Sequence, residues 1–189
     1  MSIALLNPAD SPTLIPELVE PPFELIDGVP KEKPPMGFFA NVLATYLSTA
    51  INHFALPKKL GMAINETTYK ANDKNSRRPD VSYVEFSKFP PLETLQDDPP
   101  LLDCAPNLAI EVVSPTNTIA EMDKRIDYFF KSGVQLVWVI HPQSKRVHVY
   151  ESTTDCDILA VGDVLDGGKV LTGFSLPVAE LFNVASFFS

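Results

Sequence analysis

Apolar positions along the chain recur with two periods, and the switch between them divides it into helices and strands. Over residues 37–54, GFFANVLATYLSTAINHF, no charge occurs. Within it Phe39, Val42, Leu43, Tyr46, Leu47, Ala50 and Ile51 follow i, i+3, i+4, i+7 spacing. This predicts a well-buried helix, ended by Pro57 and Gly61. A second helical stripe, Ile119, Met122, Ile126, Phe129 and Phe130, runs through NTIAEMDKRIDYFFKS at 117–132. Ser114 or Thr116 is suited to cap its start and Gly133 to close its end.

Elsewhere the period is two. PFELIDGVPKEK alternates around Asp27-Gly28, a hairpin turn signal. GMAINETTYKA reads as a strand, ANDKNSRRP as a polar turn and DVSYVEF as a second strand. KFPPLETLQDDPPLLDCAP is a long proline-rich loop before a third strand, LAIEVV. VQLVWVI is apolar almost throughout, which places it centrally in a sheet. RVHVYES and DILAVG form a further hairpin, and LTGFSLPVAELF is an apolar tail that packs on the core.

The strand–helix–strand unit over residues 107–140 requires a parallel pair joined by a crossover helix. With the earlier helix and strands, the order is helix, three strands, helix, strand. The fold class expected is a mixed α/β sandwich around a central sheet. Residues 1–22, with five prolines, read as an extended arm, and residues 23–189 as a single domain.

Composition narrows the setting. No stretch approaches the roughly 18–20 apolar residues of a membrane helix, so no membrane partner is expected. The N-terminus lacks the basic start of a secretory signal. Cys104 and Cys156 have no metal-ligand spacing and form no disulfide framework, so a reducing cytoplasm is the expected compartment. His53, His141 and His148 form no HExxH-type group. A formal net charge of −9 argues against a nucleic-acid partner. The charge is uneven, however: residues 58–88 carry seven bases and four acids, while 89–111 carry five acids and no base.

Against this background Glu111 stands out, a carboxylate inside the apolar run from Leu108 to Val113. Alternation puts Ile110 and Val112 on one face and Ala109, Glu111 and Val113 on the other. A wet face would account for Glu111, but a strand inside a parallel unit is covered on both faces. Asp80 opens the strand DVSYVEF, where a turn aspartate beside Arg77 and Arg78 is the ordinary reading. The two acids gain meaning together. On neighbouring strands two carboxylates repel unless a cation lies between them. Hard oxygen ligands of this kind suit magnesium or manganese. Lys124 falls opposite the apolar stripe of its helix, where a solvated lysine is the ordinary reading. That helix begins beside the end of the Glu111 strand, so a long side chain there can reach back to the acids. Ser114 before Pro115 reads as a cap and Trp138 as core.

Asp80 in RRPDVSYVE, Glu111 in LAIEVVSP, Lys124 in the next helix and GVQLVWVIHP together resemble the Uma-two family. This bacterial group, abundant in cyanobacteria and labelled as restriction endonucleases, falls in the PD-(D/E)xK nuclease superfamily. The resemblance runs from FELIDG at residue 23 to GFSLPVAELF. It implies a restriction-endonuclease-like αβββαβ core, here with an extra N-terminal hairpin and C-terminal strands. Asp80 matches the acid of the PD motif and Glu111 that of (D/E)xK. The lysine position two residues after Glu111 holds Val113, and Lys124 matches the lysine displaced to the helix. Glu24 matches a further family glutamate. The activity implied by the resemblance is that of a magnesium- or manganese-dependent endonuclease acting on DNA, with Asp80, Glu111 and the Val112 carbonyl as metal ligands. Lys124 would position water or stabilise developing charge, Tyr128 would share its face, and a homodimer is implied. The alternative is a non-catalytic DNA- or protein-binding relative that keeps the fold, which the net charge favours. A structural or regulatory dimer held by the helix at 37–54 is a third reading.

Overall fold

The computed structural model describes residues 23–96 and 101–184. The N-terminal arm expected at 1–22 lies outside these residues. In chain order the elements are β1 (Phe23–Ile26), β2 (Val29–Glu32), α1 (Phe38–Ala55), β3 (Gly61–Asn65), β4 (Tyr69–Asn72), β5 (Asn75–Arg77) and β6 (Val81–Glu85). There follow α2 (Leu92–Gln96), β7 (Leu108–Val112), α3 (Ile119–Lys131), β8 (Leu136–His141), β9 (Arg146–Tyr150) and β10 (Cys156–Leu159). The last are β11 (Val164–Gly167), β12 (Leu171–Pro177) and α4 (Val178–Phe182). Among the described residues no helix is long and apolar enough to cross a membrane.

One mixed six-stranded sheet, in the order β10-β9-β8-β7-β6-β3, organises the molecule. Only β7 and β8 run parallel, as the crossover through α3 requires; Ile110 stands beside Trp138 and Glu111 beside Val139. The expected helix–strands–helix–strand order is therefore present, with the β4–β5 hairpin between its first two sheet strands. The sheet separates two apolar layers. On one face Leu43, Leu47 and Ile51 of α1 pack with Leu108, Ile110, Trp138 and Ile140. Leu165, Leu171, Phe174 and Leu181 from β11, β12 and α4 complete this layer. On the other face Ile126 and Phe129 of α3 meet Ala109, Val137 and Val139. The alternation of β7 is thus divided between two cores, and neither face is wet.

Four local expectations change, the first being that the proline-rich loop expected at 88–106 carries the short helix α2 at Leu92–Gln96. The segment GMAINETTYKA is not one strand: it breaks after Asn65 at Glu66, whose φ of 52° turns the chain out of the sheet. The supposed polar turn ANDKNSRRP is part of a hairpin, β4 pairing with β5. Its pairing lies outside the main sheet, so no long apolar alternation marks it. The cap of α3 is Thr118 rather than Ser114 or Thr116: its hydroxyl accepts from the Glu121 N–H, and the Glu121 carboxylate accepts from the Thr118 N–H. The Asp27-Gly28 turn is as expected, with φ of 52° and 82° at the two positions, the left-handed pair of a two-residue hairpin.

The two small hairpins lie together. The Leu25 N–H donates to Ser76 Oγ at 3.0 Å, and the Gly28 N–H to the Lys74 carbonyl at 2.7 Å. The Asp27 N–H reaches Asn75 Oδ1 at 3.0 Å, and Arg77 donates to the Leu25 carbonyl at 2.7 Å. Together they form a polar annex that carries side chains from both ends of the first eighty residues to the edge of β6 and β7.

Candidate active site

Register brings the two expected acids together. β6 pairs with β7 antiparallel, Val81 beside Ile110. Continuing that register by one residue sets Asp80 beside Glu111, both on the α3 face of the sheet. Asp80 is 3% exposed and Glu111 5%. Asp80 Oδ2 accepts from the Val112 N–H at 2.7 Å, which ties the aspartate to the end of β7. The solvated reading of Glu111 is excluded by its burial.

Glu24, the acid carried only by resemblance, joins them. It is 4% exposed and lies on β1, far away in sequence. Its Oε1 accepts from the Arg78 N–H at 2.8 Å. Its two oxygens receive a forked pair of bonds from Arg125, at 2.8 Å and 2.7 Å. The same guanidinium donates through Nε to Glu111 Oε1 at 2.6 Å and to the Arg78 carbonyl at 2.9 Å. Arg125 therefore joins β1, β7 and the strand-leading segment before Asp80.

Lys124 does not join this group. It is exposed on α3, beside Glu121 and away from the two acids. The helix turns once in about 3.6 residues, so neighbours differ by more than a quarter turn. Lys124 lies opposite the Met122–Ile126–Phe129 stripe, whereas Arg125 lies on its flank and reaches the sheet. Tyr128 does reach the annex: the Arg77 guanidinium stacks over its ring, 3.8 Å from the centroid.

Four more side chains complete the cluster, those of Lys33, Glu66, Arg77 and Arg78. Lys33, just past β2, donates from Nζ to Asp80 Oδ1 at 2.7 Å, Glu66 Oε1 at 2.9 Å and the Arg78 carbonyl at 2.7 Å. Glu66 also accepts from Arg78 Nε at 2.8 Å. Arg77 Nε approaches Glu24 at 4.0 Å. Four carboxylates, Glu24, Glu66, Asp80 and Glu111, thus face four cations, Lys33, Arg77, Arg78 and Arg125. Nothing in the local pattern of PKEKPP marks Lys33 for the site. A helical wheel of 117–132 does mark Arg125.

The cluster is electrostatically graded. Burial pushes the Glu111 carboxyl up, the neighbouring Asp80 charge adds to this, and Arg125 and Lys33 only partly oppose it, leaving it at about 7. Burial acts the same way on Glu24, but the Arg125 charge and its hydrogen bonds outweigh it and hold that carboxyl below 4.5. Arg125 is held in its charged form: burial opposes the charge and the two glutamates more than restore it. The two glutamates that share Arg125 are therefore shifted in opposite directions, Glu24 down and Glu111 up.

Among the described residues no group of three or more His, Cys, Asp or Glu side chains is arranged to hold a metal ion. The donors beside one another are two carboxylates, Asp80 and Glu111, with the Val112 carbonyl next along β7. Magnesium is commonly held by one or two carboxylates, the remaining positions going to water and phosphate oxygens. An ammonium group already rests on Asp80, so this end of the pair accepts a cation. On that count the donor set fits a hard cation.

The molecule is thus a mixed α/β protein whose central sheet is flanked by helices, with buried acids side by side at the end of two central strands. The solved structure of a putative nuclease belonging to DUF820 from Anabaena variabilis ATCC 29413 has this fold. It superposes with a TM-score of 0.76 at 22% identity, over 87% of this chain and 92% of that one. The chain belongs to the Uma2 family, described as "Putative restriction endonuclease", whose model matches residues 13–179. The match begins inside the proline-rich arm, earlier than the FELIDG segment at which the resemblance in the sequence starts. No curated protein matches the sequence.

Proposed function

We propose that this protein is a divalent-metal-dependent endonuclease that hydrolyses phosphodiester bonds in DNA. The observation that carries the reading is the pair Asp80 and Glu111, buried beside one another on adjoining strands. With the Val112 carbonyl they would hold magnesium or manganese. Such an ion would act as a Lewis acid on the phosphate and lower the pKa of a bound water toward neutrality. The chain's own groups do the rest. The Val112 N–H fixes the orientation of Asp80 through Oδ2. Arg125 fixes Glu111 through Nε and supplies positive charge where negative charge develops at phosphorus. Arg125 thereby takes the role that the family resemblance implies for Lys124. Glu24 anchors Arg125 from the opposite side and has no ligand role in this scheme.

One observation favours the second reading, a non-catalytic DNA- or protein-binding relative: the four carboxylates already face four cations of the chain. A cleavage assay decides. Purified protein is incubated with supercoiled plasmid and with single-stranded DNA in magnesium, manganese or chelator, beside Asp80→Asn and Glu111→Gln. The expected result is cutting that requires metal and is lost in both variants. No cutting by the parent under any of these conditions, or cutting by Glu111→Gln at the parental rate, would overturn the nuclease mechanism.

A further inference from the structure

Lys33 is placed unlike any other lysine in the described chain. Its side chain is 10% exposed, and its three ammonium hydrogens have three acceptors, Glu66 Oε1, the Arg78 carbonyl and Asp80 Oδ1. Burial disfavours the charged amine, but the charges of Glu111, Asp80 and Glu66 outweigh it. Because Asp80 Oδ2 is taken by the Val112 N–H, Oδ1 is the oxygen left for a cation, and Lys33 has it. An ammonium and a dication crowded onto one carboxylate would repel each other strongly in so dry a place.

The strand leading to Lys33 is lightly held. All four residues of β2 are exposed, and β2 pairs with β1 alone. Withdrawing the Lys33 ammonium breaks three polar contacts and opens neither apolar core.

We propose that Lys33 and a divalent ion are alternative occupants of the Asp80–Glu111 site, the ammonium neutralising the acids in the free protein and leaving as the metal enters. This rests on the metal-dependent reading of the site. Lys33 then sets the cation threshold: the metal must displace a tethered charge, and the exposed strand β2 with its continuation to Lys33 is the part that yields, while β1 stays anchored through Glu24.

The test is binding of Mn2+, followed by the paramagnetic resonance of the free ion, in the parent, Lys33→Met and Lys31→Met. Lys31 lies on β2, two residues before Lys33, and its replacement removes an equal charge from the adjoining strand. Lys33→Met is expected to bind Mn2+ at least about tenfold more tightly than the parent, since its competitor is gone. Lys31→Met is expected to stay within about twofold, as an exposed charge in high dielectric. A second measurement needs no variant. Acetylation of the native protein, mapped by mass spectrometry, is expected to rise several-fold at Lys33 on adding Mn2+ and to stay constant at Lys31. Equal or weaker binding by Lys33→Met, or Lys33 reactivity that Mn2+ leaves unchanged or lowers, overturns the proposal. If cutting is nonetheless metal-dependent and lost in Glu111→Gln, the nuclease reading survives that failure. If neither parent nor Lys33→Met binds Mn2+, both fall.

Discussion

Arg125 makes four hydrogen bonds to three partners, and two of those partners are buried carboxylates. Removing it strands Glu24 and Glu111 in a dry site. Arg125→Ala is therefore expected to destabilise the fold by about 3–5 kcal/mol. Lys124→Ala, one residue away on the exposed side of α3, is expected to stay within about 0.5 kcal/mol. Urea unfolding of the two variants measures the contrast; equal effects would remove Arg125 from the centre of the cluster. The residues differ in how far the sequence announces them. Glu111 is conspicuous because it breaks an apolar run, and Asp80 gains weight from its position one strand away. Arg125 is readable only from helical phase, since identity alone points equally to Lys124. Lys33 and Glu66 are not readable at all. They reach the site because two hairpins dock on one another through backbone bonds and polar side chains, and such contacts leave no periodic trace.

At the scale of elements, legibility depends on period and length. α1, α3 and the central strands β7 and β8 repeat their apolar spacing long enough to be unambiguous, and the parallel pairing follows from the crossover. β4 and β5 are not legible as a pair because they are short and belong to no core strand pattern. The start of α3 is an instructive case. SPTNT offers four candidate caps, yet the only one followed three residues later by an acid is Thr118 with Glu121. The structure uses that pair reciprocally. Thr118→Ala is expected to cost about 1 kcal/mol in unfolding experiments. Ser114→Ala, whose hydroxyl meets only Thr116 at 2.9 Å in an exposed turn, is expected to cost less than about 0.5 kcal/mol. A larger effect at Ser114 would return the cap to that turn.

For the whole molecule, the cluster leaves a signature in stability against pH. Glu111 moves from 4.5 to about 7 on folding, chiefly through burial. Between those values the native protein keeps a proton on Glu111 that the unfolded chain has released. Stability from this group is therefore full below 4.5 and falls as pH rises toward 7. Glu24 has the opposite sign: its carboxyl is lowered, so its contribution is present above 4.5 and is lost as pH falls through the lowered value. His141 and His148 are both lowered by burial and by neighbouring charge, so their penalty on the native state fades as pH rises from the lowered values toward 6.5 and levels off above it. The parental curve alone would mix these effects. The difference between parent and Glu111→Gln isolates one of them, because glutamine carries no proton to lose. Relative to the variant, the parent is expected to lose stability steadily from about pH 5 to about pH 7.5. Urea midpoints across that range measure it. Saturating Mn2+ should abolish the decline in the parent, since a dication beside Glu111 favours the charged carboxylate, and should leave the variant's profile unchanged in slope. A difference curve that stays flat without metal would mean that Arg125 and Lys33 already hold Glu111 fully charged. The opening for a divalent ion would then have to be sought in the displacement of Lys33 alone.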